Sequence, residues 1–255
     1  MADFENEVLS QIKVSPAKHL DETGFRVSGK THWLHVASTR NLTYYHLSPK
    51  RKALLEGLTG TVIHDHWRPY YKLPNVQHGL CNQHHLRELK SLIENEKEPW
   101  ARKMQRFLRF SLGRRKQYEE NPIPDKELMR LFELFDRIVD EGLRFHERQP
   151  PFSKKAKRGR TAKRTGHNLL LRLQNHREDV LRFLNNPEVP FTNNQAEQDI
   201  RMMKCKQKIS GGFRTNKGAE IFARIRGFIS TARKQGWGIF NSIQKLVQDA
   251  VPLPT

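Results

Sequence analysis

His19-Leu20-Asp21-Glu22-Thr23-Gly24-Phe25-Arg26-Val27, with Trp33-Leu34-His35-Val36 and Leu42-Thr43-Tyr44-Tyr45-His46-Leu47 behind it, decides the fold class. These runs are rich in β-branched and aromatic residues, which suit a pleated, half-buried surface. Ser28-Gly29-Lys30 and Ser38-Thr39-Arg40-Asn41 separate them as turn signals. Three consecutive short strands with tight turns predict an antiparallel meander. Next, Ser48 as N-cap and Pro49 at the first helical position predict a helix from 49, ended by Gly57 and Gly60. Thr61-Val62-Ile63-His64 reads as a short buried strand and Val76-Gln77-His78-Gly79-Leu80 as another. The order βββ-α-β-α-β predicts an α/β layer with a mixed sheet flanked by helices.

Beyond about residue 82 the periodicity changes. His85 to Ile93, Trp100-Met104-Phe107-Leu108, Leu128-Leu131-Phe132-Phe135-Ile138-Val139, Leu169-Leu170-Leu173 and Val180-Leu181-Leu184 all show helical apolar spacing. Asn121-Pro122-Ile123-Pro124 breaks this region once. The expected organisation is an N-terminal segment over 1–18, a core from 19–85 and 190–250, and a large helical insertion over 86–189. A basic loop near 153–165 lies within the insertion. Its Lys154, Lys155, Lys157, Arg158 and Arg160, with no acid among them, are candidate phosphate-backbone contacts; a solvated loop is the plain alternative. Near the end, Asn194 can cap a helix through Met203. A second helix over 219–234 is expected to bury Ile221, Phe222, Ile225, Phe228, Ile229 and Ala232 on one face.

Lys+Arg minus Asp+Glu is 46 − 27 = +19 and the pI is about 10.2, so a polyanionic partner is favoured. No apolar run is long enough to span a membrane. The N-terminus lacks a basic n-region and an apolar h-region, so a cytoplasmic protein is expected, nucleoid-associated when bound to DNA. Two cysteines, Cys81 and Cys205, give no disulfide framework.

Against this positive background three acids stand out: Asp21 on or at the start of the first strand, Asp65 after the apolar run 61–64, and Glu197 on the first turn of a late helix. Glu22 points to the opposite face from Asp21, because strand side chains alternate. Three carboxylates can hold hard divalent cations for phosphodiester chemistry while surrounding cations hold the backbone. Each has a plainer reading. Asp21 can start a turn before Gly24, Asp65 can cap a following helix, and Glu197 can complete a capping box with Asn194 or pair with Arg201. Arg201, Lys204, Lys206, Lys208 and Arg214 follow Glu197 as further candidate DNA contacts, and Gly211-Gly212 can form a turn or let the main chain approach a phosphate. Trp67 and Tyr70 are the expected exposed aromatics near Asp65. Cys81 and His84 are expected to shape the site or touch DNA rather than close a zinc site.

The ordered motifs resemble the IS66-family transposases. Asp21-Glu22-Thr23-Gly24 with Lys30-Thr31-His32-Trp33-Leu34 resembles that family's first-strand signature. Cys81-Asn82-Gln83-His84-His85-Leu86-Arg87 resembles its Cys-x-x-His-leucine-arginine motif. Asn193-Asn194-Gln195-Ala196-Glu197 resembles its Asn-Asn-x-Ala-Glu motif, and 206–215 and 218–220 continue the likeness. The resemblance runs from about Asp21 to Leu246. It implies an RNase H-like core of the DDE type with Asp21, Asp65 and Glu197 as catalytic and metal-holding residues. The spacings of 44 and 132 residues leave room for the insertion before the last catalytic helix. It further implies Mg²⁺ or Mn²⁺, strand cleavage and strand transfer on element ends and target DNA, a homo-oligomer in the DNA complex, and accessory proteins of the element. Full-length members carry N-terminal DNA-binding and zinc-binding regions, so this chain is expected to be a catalytic-domain fragment or a shortened copy. The rival expectations are a nuclease of the same fold and a catalytically silent basic DNA-binding remnant.

Overall fold

The computed structural model describes residues 1–150, 162–248 and 251–254. The chain divides into two compact units, Met1–His78 with Thr192–Thr255, and Gly79–Phe191.

The first unit is built on a five-stranded mixed sheet. Its strands are β1 (Ala17–Val27), β2 (Lys30–Ser38), β3 (Thr43–Ser48), β4 (Gly60–His64) and β5 (Val76–Leu80), in the spatial order β3-β2-β1-β4-β5. The first three form the expected meander. Ser28 and Gly29 both take positive φ, 47° and 76°, as a tight two-residue hairpin turn requires. β4 joins β1 in parallel, with Ala17 opposite Thr61 and His19 opposite Ile63.

The period of two sorts β1 onto two cores. Leu20 enters a cluster with Ala37, Val62 and Phe228, while Phe25 and Val27 enter another with Leu34, Val36, Ala196, Ile200 and Met203. Asp21 lies opposite Val36 in the register and so shares the second face. Glu22, opposite His35, belongs to the first.

Residues 1–14, read from sequence as part of an N-terminal segment, form α1 (Ala2–Val14). Phe4, Val8 and Ile12, spaced i, i+4, i+8, are buried in the first core, and the Phe4 ring meets Phe228 edge-on at 5.1 Å. Lys18 is fully buried. Its ammonium donates to the carbonyls of Lys13 (3.1 Å) and Ser15 (2.8 Å) and also to that of Thr59, which ties the end of α1 to the entry of β4. Burial lowers its pKa to about 8.

The helix expected from 49 is absent. Ser48 Oγ accepts the Lys50 N–H at 3.1 Å, the chain turns at 51–52, and it then runs irregularly to the buried Leu58. This connection must cross β2 and β1 to reach β4. An extended chain covers about 3.3 Å per residue against about 1.5 Å in a helix, so the span overrides the local capping signal.

The last helices of this unit are α7, α8 and α9: α7 (Asn194–Ser210), α8 (Asn216–Lys234) and α9 (Ile239–Val247). α7 runs two turns past the expected Met203. On α8 the expected apolar face holds at Phe228 and Ala232, with Phe222 and Ile229 half-buried, and fails at two positions. Ile221 and Ile225 are exposed, and Ala219, Ala223, Gly227 and Phe228 are buried. Gly227 faces Tyr45 and the Thr43 carbonyl, so close approach of helix to strand selects the small residues.

The second unit is helical, with α2 (Asn82–Ser91), α3 (Pro99–Tyr118), α4 (Asp125–Glu147), α5 (Thr165–Asn175) and α6 (Arg177–Asn185). The expected break at 121–124 separates α3 from α4. Trp100, Met104, Phe107 and Leu108 are buried on α3, and Leu131, Phe135, Ile138 and Val139 on α4. Phe132 instead carries the Arg177 guanidinium 4.6 Å above its ring. Glu98 is buried and accepts the Trp100 indole N–H at 2.5 Å. Burial pushes its carboxyl up and holds His146, 3.2 Å away, down to about 4. Among the described residues no helix is long and apolar enough to cross a membrane.

Because Phe4 fills the first core, Phe4→Ala should cost about 3–5 kcal/mol of stability, read as an earlier urea midpoint. Unchanged stability would mean that α1 is a detachable segment.

Candidate functional site

Parallel pairing places two of the three acids. The register sets His19 against Ile63. Two residues further along both strands stand Asp21 and Asp65, so the geometry of the β1–β4 pair brings them side by side. Burial raises the Asp21 carboxyl to about 7, against the hydrogen bond that it accepts from the Glu22 N–H. The negative charges of Asp65 and Glu22 push it further up, and Lys204 pulls it down. Asp21 Oδ1 takes the Glu22 N–H at 2.8 Å, and Asp65 Oδ1 takes the Trp67 N–H at 3.1 Å. The latter closes a turn after β4, with His66 in the left-handed region at φ 74°. Asp65 therefore caps no α-helix. A 3-10 turn over Arg68–Lys72 follows instead.

The third acid arrives on α7. Asn193, the residue before the helix, does not cap it. Its side-chain amide donates to the Leu20 carbonyl at 2.8 Å, and its Oδ1 lies 2.9 Å from His19 Nδ1. That bond seats the start of α7 beside the residue preceding Asp21. A second anchor lies at Asp199. Its Oδ2 accepts from Lys234 Nζ (2.7 Å), Thr43 Oγ1 (3.2 Å) and Gln195 Nε2 (3.2 Å), and its Oδ1 from Ser230 (3.1 Å). Its backbone carbonyl takes the Tyr45 hydroxyl at 2.6 Å. Burial lowers the Lys234 pKa and Asp199 partly restores it. Glu197 stands between the two anchors, half-buried, in a helix whose N-cap position is Asn193 rather than the expected Asn194. Among the described residues the three carboxylates do not close into a single ligand cluster. Like charges repel, and one oxygen of each of Asp21 and Asp65 is already bonded to a backbone N–H group.

Glu197, Arg201, Lys204 and Lys208 fall at i, i+4, i+7 and i+11 and make one stripe along α7, with the three cations exposed. Lys206 lies off this stripe, its ammonium 5.2 Å from the Phe213 ring. Arg214 is exposed, and its carbonyl receives the Ser28 hydroxyl. Gly212 serves packing: a Cβ there would stand 2.5 Å from the Arg26 carbonyl, which accepts the Phe213 N–H. Lys154, Lys155, Lys157, Arg158 and Arg160 lie outside the described residues. In the second unit Cys81 precedes α2 and His84 sits on its first turn.

Tyr70, expected to be exposed, is buried, and its hydroxyl donates to Glu22 Oε2 at 2.5 Å. Arg51 donates to Glu22 Oε1 through Nε (3.0 Å) and a terminal nitrogen (2.7 Å). Its guanidinium also lies 4.8 Å from the Trp33 ring and 4.4 Å from that of Trp67. Sequence reasoning assigns no site-building role to Asp199 or Arg51 and takes Asn193 only as part of a motif. The doubled asparagine at 193–194 was the available signal for Asn193; the others have none in sequence.

The raised Asp21 pKa has a signed consequence. The folded metal-free protein keeps this proton where the unfolded chain has lost it, so stability falls as pH rises from 3.8 to about 7. Asp21→Asn should therefore be more stable than wild type above pH 7, with the gap closing below the ordinary carboxylate range. Thermal melts across pH test this; a pH-independent gap would contradict it.

Three comparisons bear on the chain as a whole. The sequence model described as "Transposase IS66 family" matches residues 1–221. A curated relative, "Uncharacterized protein y4jO" of Sinorhizobium fredii (strain NBRC 101917 / NGR234), is 34% identical over 77 residues, 29% of this chain and 24% of that protein. This chain thus covers about a quarter of that relative's length. No solved structure matches. With the family match extending over most of its length, the chain belongs to the IS66 family of transposases.

Proposed function

We propose that this chain carries the DDE catalytic domain of an insertion-sequence transposase, with an RNase H-like core formed by β1–β5 and α7. On this reading 86–189 is an insertion within that core. The observation that carries the proposal is the side-by-side placement of Asp21 and Asp65 by the β1–β4 register, with α7 seated by Asn193 at Leu20.

A divalent metal fits this place. Asp21 is a largely buried carboxylate beside a second one, a combination that costs free energy until a cation neutralises it. Asp21, Asp65 and Glu197 would hold Mg²⁺ or Mn²⁺. Bound there, the metal supplies charge stabilisation for the attacking and leaving oxygens of a phosphodiester. The protein supplies placement. Arg201, Lys204 and Lys208 on the α7 stripe bind backbone phosphates and bring the scissile one to the carboxylates. Water attacks the phosphorus and the bond to the 3′ oxygen breaks, leaving a 5′-phosphate and a free 3′-hydroxyl; in the joining step that hydroxyl loses its proton, attacks a target phosphodiester and expels the target's 3′ oxygen as a hydroxyl. No side chain forms a covalent bond to DNA. We place the reaction in the bacterial cytoplasm, in a homo-oligomeric complex on element ends and target, with accessory proteins of the element as further partners.

Asp21→Asn, Asp65→Asn and Glu197→Gln should each lower Mg²⁺-dependent nicking by at least about a hundredfold while DNA affinity stays within about threefold. Wild-type nicking rates in any of them would refute the assignment. Nicking without joining of a pre-nicked end would favour a nuclease, and binding without nicking a silent remnant. Arg201→Ala and Lys204→Ala should each flatten the slope of log affinity against log salt by about 1.

A further inference from the structure

A cavity of about 750 Å³ opens in the first unit at the loop that follows Asp65. Trp67, Leu54 and Leu73 give it apolar walls, and Lys52, Arg68 and Lys72 give it a cationic rim. The lone acid among its lining residues is Glu56. All three cations are exposed, and among the described residues none is engaged in an ion pair.

The aromatic wall is held in place. Arg51 lies between the rings of Trp33 and Trp67, and Glu22, whose side chain is only 3% exposed, pins Arg51 through two hydrogen bonds. The Trp67 N–H is itself bonded to Asp65 Oδ1. One short loop thus carries both a carboxylate of the candidate site and the wall of the cavity. A rigid indole, an apolar floor and a ring of free cations match a flat heteroaromatic base with its phosphates at the mouth. A paired base stacked in duplex cannot enter a concave cavity, whereas an unpaired one can. We infer that this cavity is a binding site for an unpaired nucleotide of the DNA strand that passes Asp65. The inference rests on the reading of the chain as a DNA strand-cleaving enzyme and adds a subsite to it.

The test is equilibrium binding in EDTA, by fluorescence anisotropy, of a labelled single strand and of the blunt duplex of the same sequence. Trp67→Ala should weaken single-strand binding about tenfold and duplex binding less than about twofold. Trp67→Ala also removes one face of the Arg51 stack. Leu54→Trp, which fills the cavity and leaves that stack intact, should therefore show the same selective loss. In a strand carrying 2-aminopurine, wild type should quench the base and Leu54→Trp should not. Equal losses on both DNAs, or wild-type binding by both variants, overturns the inference. The catalytic reading fails separately: nicking by wild type, with single-strand binding by Trp67→Ala and Leu54→Trp like that of wild type, removes only the subsite. Selective single-strand binding that persists in Asp21→Asn, with no nicking by wild type, removes only the catalysis.

Discussion

The amide of Asn193 holds this site together. Glu197 follows Asp65 by 132 residues, and no local rule of sequence connects them. A buried carboxamide that spans the Leu20 carbonyl and the His19 ring makes the connection. A buried polar group left without a partner costs far more than a satisfied one contributes, so such a bond admits one seat for the helix rather than several. Asp199 repeats the device six residues later, where Lys234, Ser230 and Thr43 fix the rotation of α7. Between two such points Glu197 and the cations that follow it have little freedom.

The same placement creates tension. Burial raises the cost of ionising Asp21, and the charge of Asp65 beside it, past the end of the parallel strand pair, adds to that cost. Exposed cations on α7 offset part of this at a distance, as Lys204 does. The net +19 of the chain favours a polyanionic partner, and the repulsion between Asp21 and its neighbouring acids is a local exception to that positive balance.

Strand alternation divides labour between neighbours. Asp21 turns to the face covered by α7. Glu22 turns to the other, where Tyr70 and Arg51 satisfy it and the two tryptophans cover Arg51. An acid on the face opposite Asp21 thereby stiffens the loop that carries Asp65.

Much of this was legible in the residues. β-branched runs and turn signals gave the meander, because pleat and turn chemistry are local properties. The motif around Asn193 and the acid after the 61–64 strand single out Glu197 and Asp65 as candidates. The helix expected from 49 failed because the connection must span two strands, a demand absent from its own residues. The buried face of α8 keeps the expected Phe228 and Ala232 but takes Ala219, Ala223 and Gly227 in place of Ile221 and Ile225, since close approach of helix to strand favours small residues there. Sequence alone determined the strands, the alternation that separates Asp21 from Glu22, and the excess of positive charge. Only the tertiary structure decided which residues seat α7 and which loop lines the cavity, because the bonds that seat α7 join positions up to 174 residues apart.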